Sequence, residues 1–384
     1  MTKEKRASGK DNALLRIIRK KRVFIPIIAL LVVVGAYITF VFSNIPFVKY
    51  WRTIYIETAM TTADHQWLAT AFIPKNIIDG VMSQMTDTSD VVGGLDHLTG
   101  DGKSDDEISD TANADTDAVE GDILGQSGLV VGEADYAGYT VLVNDIEQGI
   151  VISQIEGATY KGYMMLVDDP SRVYLGTTPY KNVEGLRIKA MMKHYGAVAG
   201  INASGFSDPN DSGHGGDIIG LSYSDGEYWG VSVHFYGAIL LTDDDRLVVG
   251  NIKNWDNYNI RDGIQFGPVL IADGVAQIEG SGGYGIQPRT AIGQREDGVI
   301  AFLVIDGRQP TWSIGCTMGD LTEILLKYGA VNAACCDGGS SSVLAYNDEV
   351  INKNSSLNPT YGRRLPNAWL VAPKTDAEVS DDAK

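Results

Sequence analysis

The residues best able to do chemistry gather toward the C-terminal end of the chain. Asp306, in Asp306-Gly307-Arg308, and Asp337, in Cys336-Asp337-Gly338-Gly339-Ser340-Ser341-Ser342, each follow an apolar run and precede glycine. A short carboxylate at a strand end projects into a crevice, and the glycine beside it lets a ligand approach the backbone closely. Asn202, ahead of Ala203-Ser204-Gly205, has the same placement. Polar groups at the carboxyl ends of strands, followed by glycine turns, tend to line ligand crevices in α/β packing. Arg289, in Gln287-Pro288-Arg289-Thr290-Ala291-Ile292-Gly293, and Arg363, beside the equally basic Arg364, add planar cations. His214 stands in the glycine-rich loop Ser212-Gly213-His214-Gly215-Gly216-Asp217, from which an imidazole can reach a site.

Several chemistries are set aside at once. Ser340 and Ser341 follow glycines as a nucleophile would, but no histidine occurs after His234 and Gly-x-Ser-x-Gly is absent. A serine-hydrolase triad is therefore not expected, and the two serines read as ligands for substrate oxygens. Cys316, Cys335 and Cys336 are too few for a disulfide framework, and the adjacent pair lies in a run of small residues where free cysteine acts as a small hydrophobe. No Cys-x-x-Cys or His-x-x-x-His spacing accompanies them, so no metal site is expected there. Asp208, Asn210, Asp211 and Asp217 offer oxygens to a hard cation such as calcium, yet without the fixed spacing of an EF-hand. A solvated loop is the expectation, and no cofactor is implied. Each candidate also has a structural reading: Asp306 and Asp337 as turn formers, Arg289 and Arg363 in ion pairs, Asn202 as a turn cap.

The elements that must position these residues occupy only part of the chain. At 384 residues and 44% apolar content, the protein exceeds one typical domain and can bury a sizeable core. Its net charge of −18 argues against nucleic-acid binding, which depends on neutralising phosphates. The balance is uneven: residues 1–22 carry nine basic and two acidic side chains, a net of +7. Residues 23–48 then hold no charge until Lys49, and about 20 apolar residues cross a bilayer as a helix. A transmembrane helix is expected within 23–43, read as Phe24 to Phe42, with residues 1–22 a basic cytoplasmic segment by the positive-inside bias. No A-x-A-like site follows Phe42, so a retained signal anchor is expected rather than a cleaved leader, with the remainder on the extracellular side. Residues 44–85 read as a juxtamembrane stalk, continuing helical toward Pro74. Residues 86–125 are rich in Asp, Ser, Thr and Gly and read as an acidic disordered linker, and 374–384 as a disordered tail.

Between them, 126–373 shows short strands such as Thr140-Val141-Leu142-Val143, Gly162–Val167 and Val299–Ile305, with two helices. One runs from about Val183 to Tyr195 with Asn182 as N-cap; the other has Thr317 as N-cap with Asp320 three residues on. Both end in Tyr-Gly-Ala-Val before an apolar strand, which reads as a possible internal duplication. Few helices among many strands give an α+β domain with a mixed β-sheet.

In their order and spacing these motifs resemble the phosphodiester glycosidases related to the mannose-6-phosphate uncovering enzyme, a family that includes bacterial exopolysaccharide-biosynthesis-type proteins. The likeness covers about 135–373: Asn202-Ala203-Ser204-Gly205-Phe206, Phe266-Gly267-Pro268, Pro288 through Gly293, Asp306-Gly307-Arg308, the Thr317 helix, Asp337 through Ser341, and Arg363 through Ala368. The resemblance implies hydrolysis of the C1–O bond of sugar-1-phosphodiesters in envelope or exopolysaccharide glycans, a phosphate-linked glycan being the partner. Asp306 and Asp337 would be the catalytic carboxylates, and Arg289 and Arg363 the phosphate clamps. Asn202, His214, Gly338, Gly339, Ser340 and Ser341 would contact substrate. Two rivals remain: a non-catalytic glycan-binding scaffold, and a metal-dependent phosphodiesterase cutting P–O, for which the scarcity of clustered His and Cys is unfavourable.

Overall fold

The computed structural model describes residues 24–62, 65–96, 122–208 and 213–374. The basic segment 1–22, most of the acidic stretch and residues 375–384 of the tail lie outside them. The chain forms two compact units, Met1–Ser83 and Gln84–Lys384.

In the first unit, Phe24–Phe42 is one helix, long and apolar enough to cross a membrane, with its side chains largely exposed. The segment after it is not a stalk continuing that helix. Helices Pro46–Met60, Trp67–Thr70 and Lys75–Met82 fold around a small core of Ile56, Ala59, Ala69, Ile73 and Ile78. Pro46 and Pro74 start two of these helices, since proline suits a first turn and cannot continue the preceding one. The buried Arg52 guanidinium donates to the carbonyls of Phe40, Val41 and Ser43, at 3.2, 2.8 and 2.9 Å. These are groups that a helix C-terminus leaves unpaired, and a cation is favoured there.

The second unit is built of antiparallel sheets with few helices, as the α+β reading requires. An eight-stranded sheet runs in the order Val275–Ala276, Val269–Ala272, Ala330–Cys336, Arg289–Arg295, Ile300–Ile305, Lys161–Val167, Ile150–Glu156, Thr140–Asp145. A six-stranded sheet centres on Gly237–Thr242 and Ile260–Phe266, and a five-stranded one on Ala199–Asn202 and Asn367–Val371. Inward side chains of all three meet in one core, including Ile152, Phe302 and Cys336 from the first sheet, Ile239 and Ile264 from the second, and Ile201 and Trp369 from the third.

Helix Met318–Lys327 covers the outer face of the large sheet through Leu321, Ile324 and Leu325, against Ala291, Leu303 and Cys335. Its capping box forms as read, with Thr317 and Asp320 bonded reciprocally. The other helix covers the five-stranded sheet but spans only Ile188–Tyr195, without Asn182 as its cap. Asn182 adopts a left-handed φ of 63° and accepts a hydrogen bond from the Trp229 indole instead. All three cysteines are buried and free.

The ordered unit reaches further upstream than residue 126. Val92–Gly93 forms an edge strand on Leu247–Gly250, and the Gly94 N–H donates to Asp273 at 2.7 Å. Only glycine fits at 93, where a Cβ would lie 2.4 Å from the Asn332 side chain. Leu124 is likewise buried in the core beneath the large sheet. The disordered-linker reading therefore fails at both ends of 86–125, because a few apolar residues there find partners far away in sequence.

Candidate active site

The site grows from the register of three neighbouring strands. Arg289 opens its strand opposite Ile305, and Thr290 lies opposite Cys336. The antiparallel pairing thus brings Arg289, Asp306 and Asp337 to the same edge of the large sheet. A fourth strand end arrives from the five-stranded sheet, where Asn202 is fully buried. Its amide donates to the Asp337 carbonyl at 2.6 Å, and its oxygen accepts from the Thr290 hydroxyl at 2.8 Å and the Val343 N–H at 3.0 Å. The Asp337 N–H in turn donates to the Ala203 carbonyl at 2.9 Å. The two Tyr-Gly-Ala-Val units therefore meet at the residues that end them. Asn202 serves beneath the site rather than in it.

Asp337 is half-buried at the centre. Burial pushes its carboxyl up to about 6, against the lowering pull of the Ser341 hydroxyl, the Arg363 charge, the Gly338 N–H and the Arg308 charge. A carboxyl poised there exchanges a proton near neutral pH. Tyr236, stacked on Phe266 with ring centres 4.6 Å apart, feels the Asp337 charge as well, and burial together with that charge pushes its phenol up.

Two guanidinium groups, Arg308 and Arg363, act on this carboxylate, and a third, Arg289, lies beside Arg308. Arg289 is buried; its Nη2 donates to the carbonyls of Tyr284 and Gly285, at 2.8 and 3.3 Å, and its Nε is buried with no hydrogen-bond partner among the described residues. Arg308 donates to the Gln287 side chain at 3.0 Å. Its side chain is exposed overall, yet partial desolvation of the guanidinium, then the neighbouring Arg289 and Arg363 charges, hold it below the ordinary guanidinium value, while Asp337 pulls the other way. Among the described residues neither Arg289 nor Arg308 forms a salt bridge with a carboxylate. Arg363 pairs with Asp208, lies over the Phe206 ring at 4.6 Å and donates to the Ser340 hydroxyl at 3.3 Å. The Arg289 guanidinium is buried without a compensating carboxylate among the described residues, which is costly and which a bound anion would relieve, whereas the Arg308 side chain is exposed and free to meet one.

The glycines after Asp337 make room for this cluster. A Cβ at Gly339, whose φ is +62°, would stand 3.0 Å from Arg308 Nη2, and one at Gly338 would stand 2.9 Å from the Pro288 carbonyl. Ser341 is buried against Asp337, whereas Ser340 faces Arg363.

Asp306 has a different environment. It is 1% exposed, and its oxygens accept from the Trp312 indole at 2.8 Å, the Asn352 amide at 2.9 Å and the Lys353 N–H at 3.1 Å. Both oxygens are engaged, so the carboxylate braces the 352–354 segment beneath the site. His214 has an exposed side chain, and its carbonyl accepts from the Gly185 N–H at 2.6 Å. Of the loop oxygens read as cation ligands, Asp208 pairs with Arg363 and accepts from the Gly213 N–H at 2.8 Å, while Asn210 and Asp211 lie outside the described residues. Among the described residues no group of three or more His, Cys, Asp or Glu side chains is placed to hold a metal.

Sequence reasoning does not single out Arg308, although it stands in the Asp-Gly-Arg triplet; its left-handed φ of 59° turns it toward Asp337 in a way the triplet alone does not reveal. It also borders an open cleft of about 460 Å³ lined by Asn352, Lys353, Asn354 and Ser356. Lys353 Nζ sits 3.5 Å over the Trp312 ring.

Residues 195–372 match the family model described as phosphodiester glycosidase, so the resemblance read from the motifs holds over that span. A curated relative, the SPbeta prophage-derived uncharacterized protein YomE of Bacillus subtilis (strain 168), is 31% identical over 200 residues; these are 49% of this chain but only 29% of the relative. Among solved structures, the catalytic domain of zebrafish N-acetylglucosamine-1-phosphodiester alpha-N-acetylglucosaminidase, auto-inhibited by its pro-peptide, is similar at 18% identity and a TM-score of 0.48. That match covers 64% of this chain and 87% of the zebrafish one. A hypothetical protein from Synechocystis matches at 15% identity and a TM-score of 0.45, over 63% of this chain and 65% of its own.

Proposed function

We propose that the phosphodiester glycosidase domain of this chain hydrolyses the bond between the anomeric carbon and the phosphate oxygen of a sugar-1-phosphodiester. The observation that carries this reading is the half-buried Asp337 flanked by Arg308 and Arg363, beside Arg289, two of the three arginines having no carboxylate partner among the described residues. The arginines would hold the phosphate oxygens through planar, two-pronged contacts. Charge that builds on the leaving phosphate as the C1–O bond breaks is then stabilised in place, so little proton donation to it is needed. Asp337 in its ionised form would take a proton from the water that attacks the oxocarbenium-like carbon. The water oxygen bonds to C1, the C1–O bonding pair stays with the phosphate, and the products are a free sugar and a phosphomonoester.

Asp306 enters this scheme as a positioning residue, through Asn352 and Lys353 on the wall of the cleft. That cleft, with Arg308 and Lys353 on its wall, would receive the group on the far side of the phosphate. Phe24–Phe42 would anchor the chain in the cell membrane with residues 1–22 in the cytoplasm and the domain outside, supported by the +7 segment ahead of an uncharged run. Substrates would then be phosphate-linked glycans of the envelope or of exopolysaccharide.

The deciding experiment incubates the full chain with a panel of sugar-1-phosphodiesters in ¹⁸O-labelled water. C1–O cleavage places the label in the sugar. Label in the phosphate would mean P–O cleavage, and no turnover across the panel would favour a glycan-binding scaffold.

A further inference from the structure

The helical unit after the membrane helix carries more exposed aromatic surface than a soluble face needs. Phe47 is 71% exposed, Tyr50 52%, Trp51 38%, Trp67 56% and Phe72 54%, around a small core cluster of Ile56, Ala59, Ala69, Ile73 and Ile78. Trp51 stacks edge-on with both Phe47 and Tyr50, at 6.5 and 5.3 Å, so three rings form one patch. Contiguous exposed apolar patches mark interaction surfaces, and Trp and Tyr favour the level where acyl chains meet headgroups.

The unit is fastened to the outer end of the apolar helix itself. Tyr37 hydroxyl donates to the Phe72 carbonyl at 2.7 Å, and Tyr37 lies five residues before Phe42, about 7.5 Å down the helix axis. Apolar faces of interfacial helices bury to about 5–10 Å. Whatever depth Tyr37 takes, Phe72 shares it. At that depth the Tyr37 hydroxyl pairs with a carbonyl and Arg52 Nη1 is turned onto the carbonyls of Phe40, Val41 and Ser43, while Arg52 Nε is buried with no hydrogen-bond partner among the described residues.

We infer that residues 44–83 are an interfacial membrane unit, seated in the headgroup layer through Phe47, Tyr50, Trp51, Trp67 and Phe72, and not a spacer standing in water. This rests on the reading of Phe24–Phe42 as a membrane anchor and is independent of the glycosidase chemistry.

Two of the six tryptophans, Trp51 and Trp67, belong to this unit; Trp229, Trp255, Trp312 and Trp369 belong to the other. The full chain is reconstituted into phosphatidylcholine vesicles whose acyl chains carry bromine near the headgroup, and tryptophan fluorescence is read on the floated fraction. Shallow bromines are expected to quench the wild-type chain, and Trp51→Phe/Trp67→Phe is expected to float equally well while losing most of the quenching. The single variant Trp67→Phe, an exposed and conservative change, should lose an intermediate share. A wild-type chain that floats yet is not quenched overturns the inference and leaves the patch to a protein partner. So does a double variant quenched as strongly as wild type. A chain that does not float overturns the anchor and the inference together, while the labelling experiment still judges the glycosidase reading.

Discussion

The side-chain amide of Asn202 donates to the main-chain oxygen of Asp337 at 2.6 Å, so a residue sealed inside one sheet sets the position of a carboxylate that ends a strand of another. Asn202→Asp removes that donor and sets an acceptor against a carbonyl. An orphaned buried polar group costs about 1–3 kcal/mol, more when charged. Urea unfolding should show a loss of about 3 kcal/mol or more, with turnover falling alongside. Unchanged stability would refute the brace.

Asp337 and Asp306 should respond in opposite ways to Asp→Asn. Asp337→Asn is expected to lower turnover by about 10²-fold or more, in the range of general acid–base groups, with the melting temperature at pH 7 held or raised. Asp306→Asn must give up acceptance from at least one of Trp312, Asn352 and Lys353, so it should melt earlier while kcat stays within about tenfold at low temperature. Kinetics and thermal scans on the same two preparations check both.

With Asp337 near 6, and its ionised form the active one, kcat/KM should climb with pH through about 6 and level off above it. Arg308 holds this pKa down, so Arg308→Gln should move the limb to higher pH. Stability runs the other way. A carboxyl raised in the folded state above its unfolded value of about 3.9 contributes most below that value, and the contribution is lost as pH rises through about 6. Asp337→Asn should flatten that part of the melting-temperature profile.

Arg308→Lys replaces a fork with a point charge and should cut kcat/KM by about 10²-fold, the scale of losing one donor to a developing anion. Gly339→Ala tests the same guanidinium from the other side. Its Cβ would press on Arg308 at 3.0 Å from a left-handed backbone, so activity should fall about tenfold and stability by about 1 kcal/mol. Wild-type kinetics in either variant would remove Arg308 from the site.

Protease added to intact cells or spheroplasts should degrade residues 84–384 while sparing an epitope within residues 1–22. Protection of the large unit would reverse the proposed topology.

Local rules read well wherever the decisive partner is local. The Thr317–Asp320 capping box and the strand Ile300–Ile305 can both be anticipated, because each is written in a few consecutive residues. Roles set by distant partners are not legible. Nothing near Asp306 announces Trp312, Asn352 and Lys353 as its donors, and Asn182 has the look of a helix cap although Trp229 claims it. Arg308 is hidden for a related reason: its importance comes from a left-handed backbone that aims it at Asp337, not from its neighbours in sequence.

Because Val92–Gly93 is stitched to Val249–Gly250 and Leu124 lies in the same unit's core, the acidic stretch 97–121 leaves and re-enters one unit. The described residues on either side of that stretch are thus both held by one unit. The length of the stretch therefore does not set how far the large unit can travel from the helices that precede it. Lengthening it changes only a closure entropy, about 0.6 kcal/mol per doubling. The two units divide at Ser83 and Gln84, so insertions there, and not in the acidic stretch, would lengthen the tether between them.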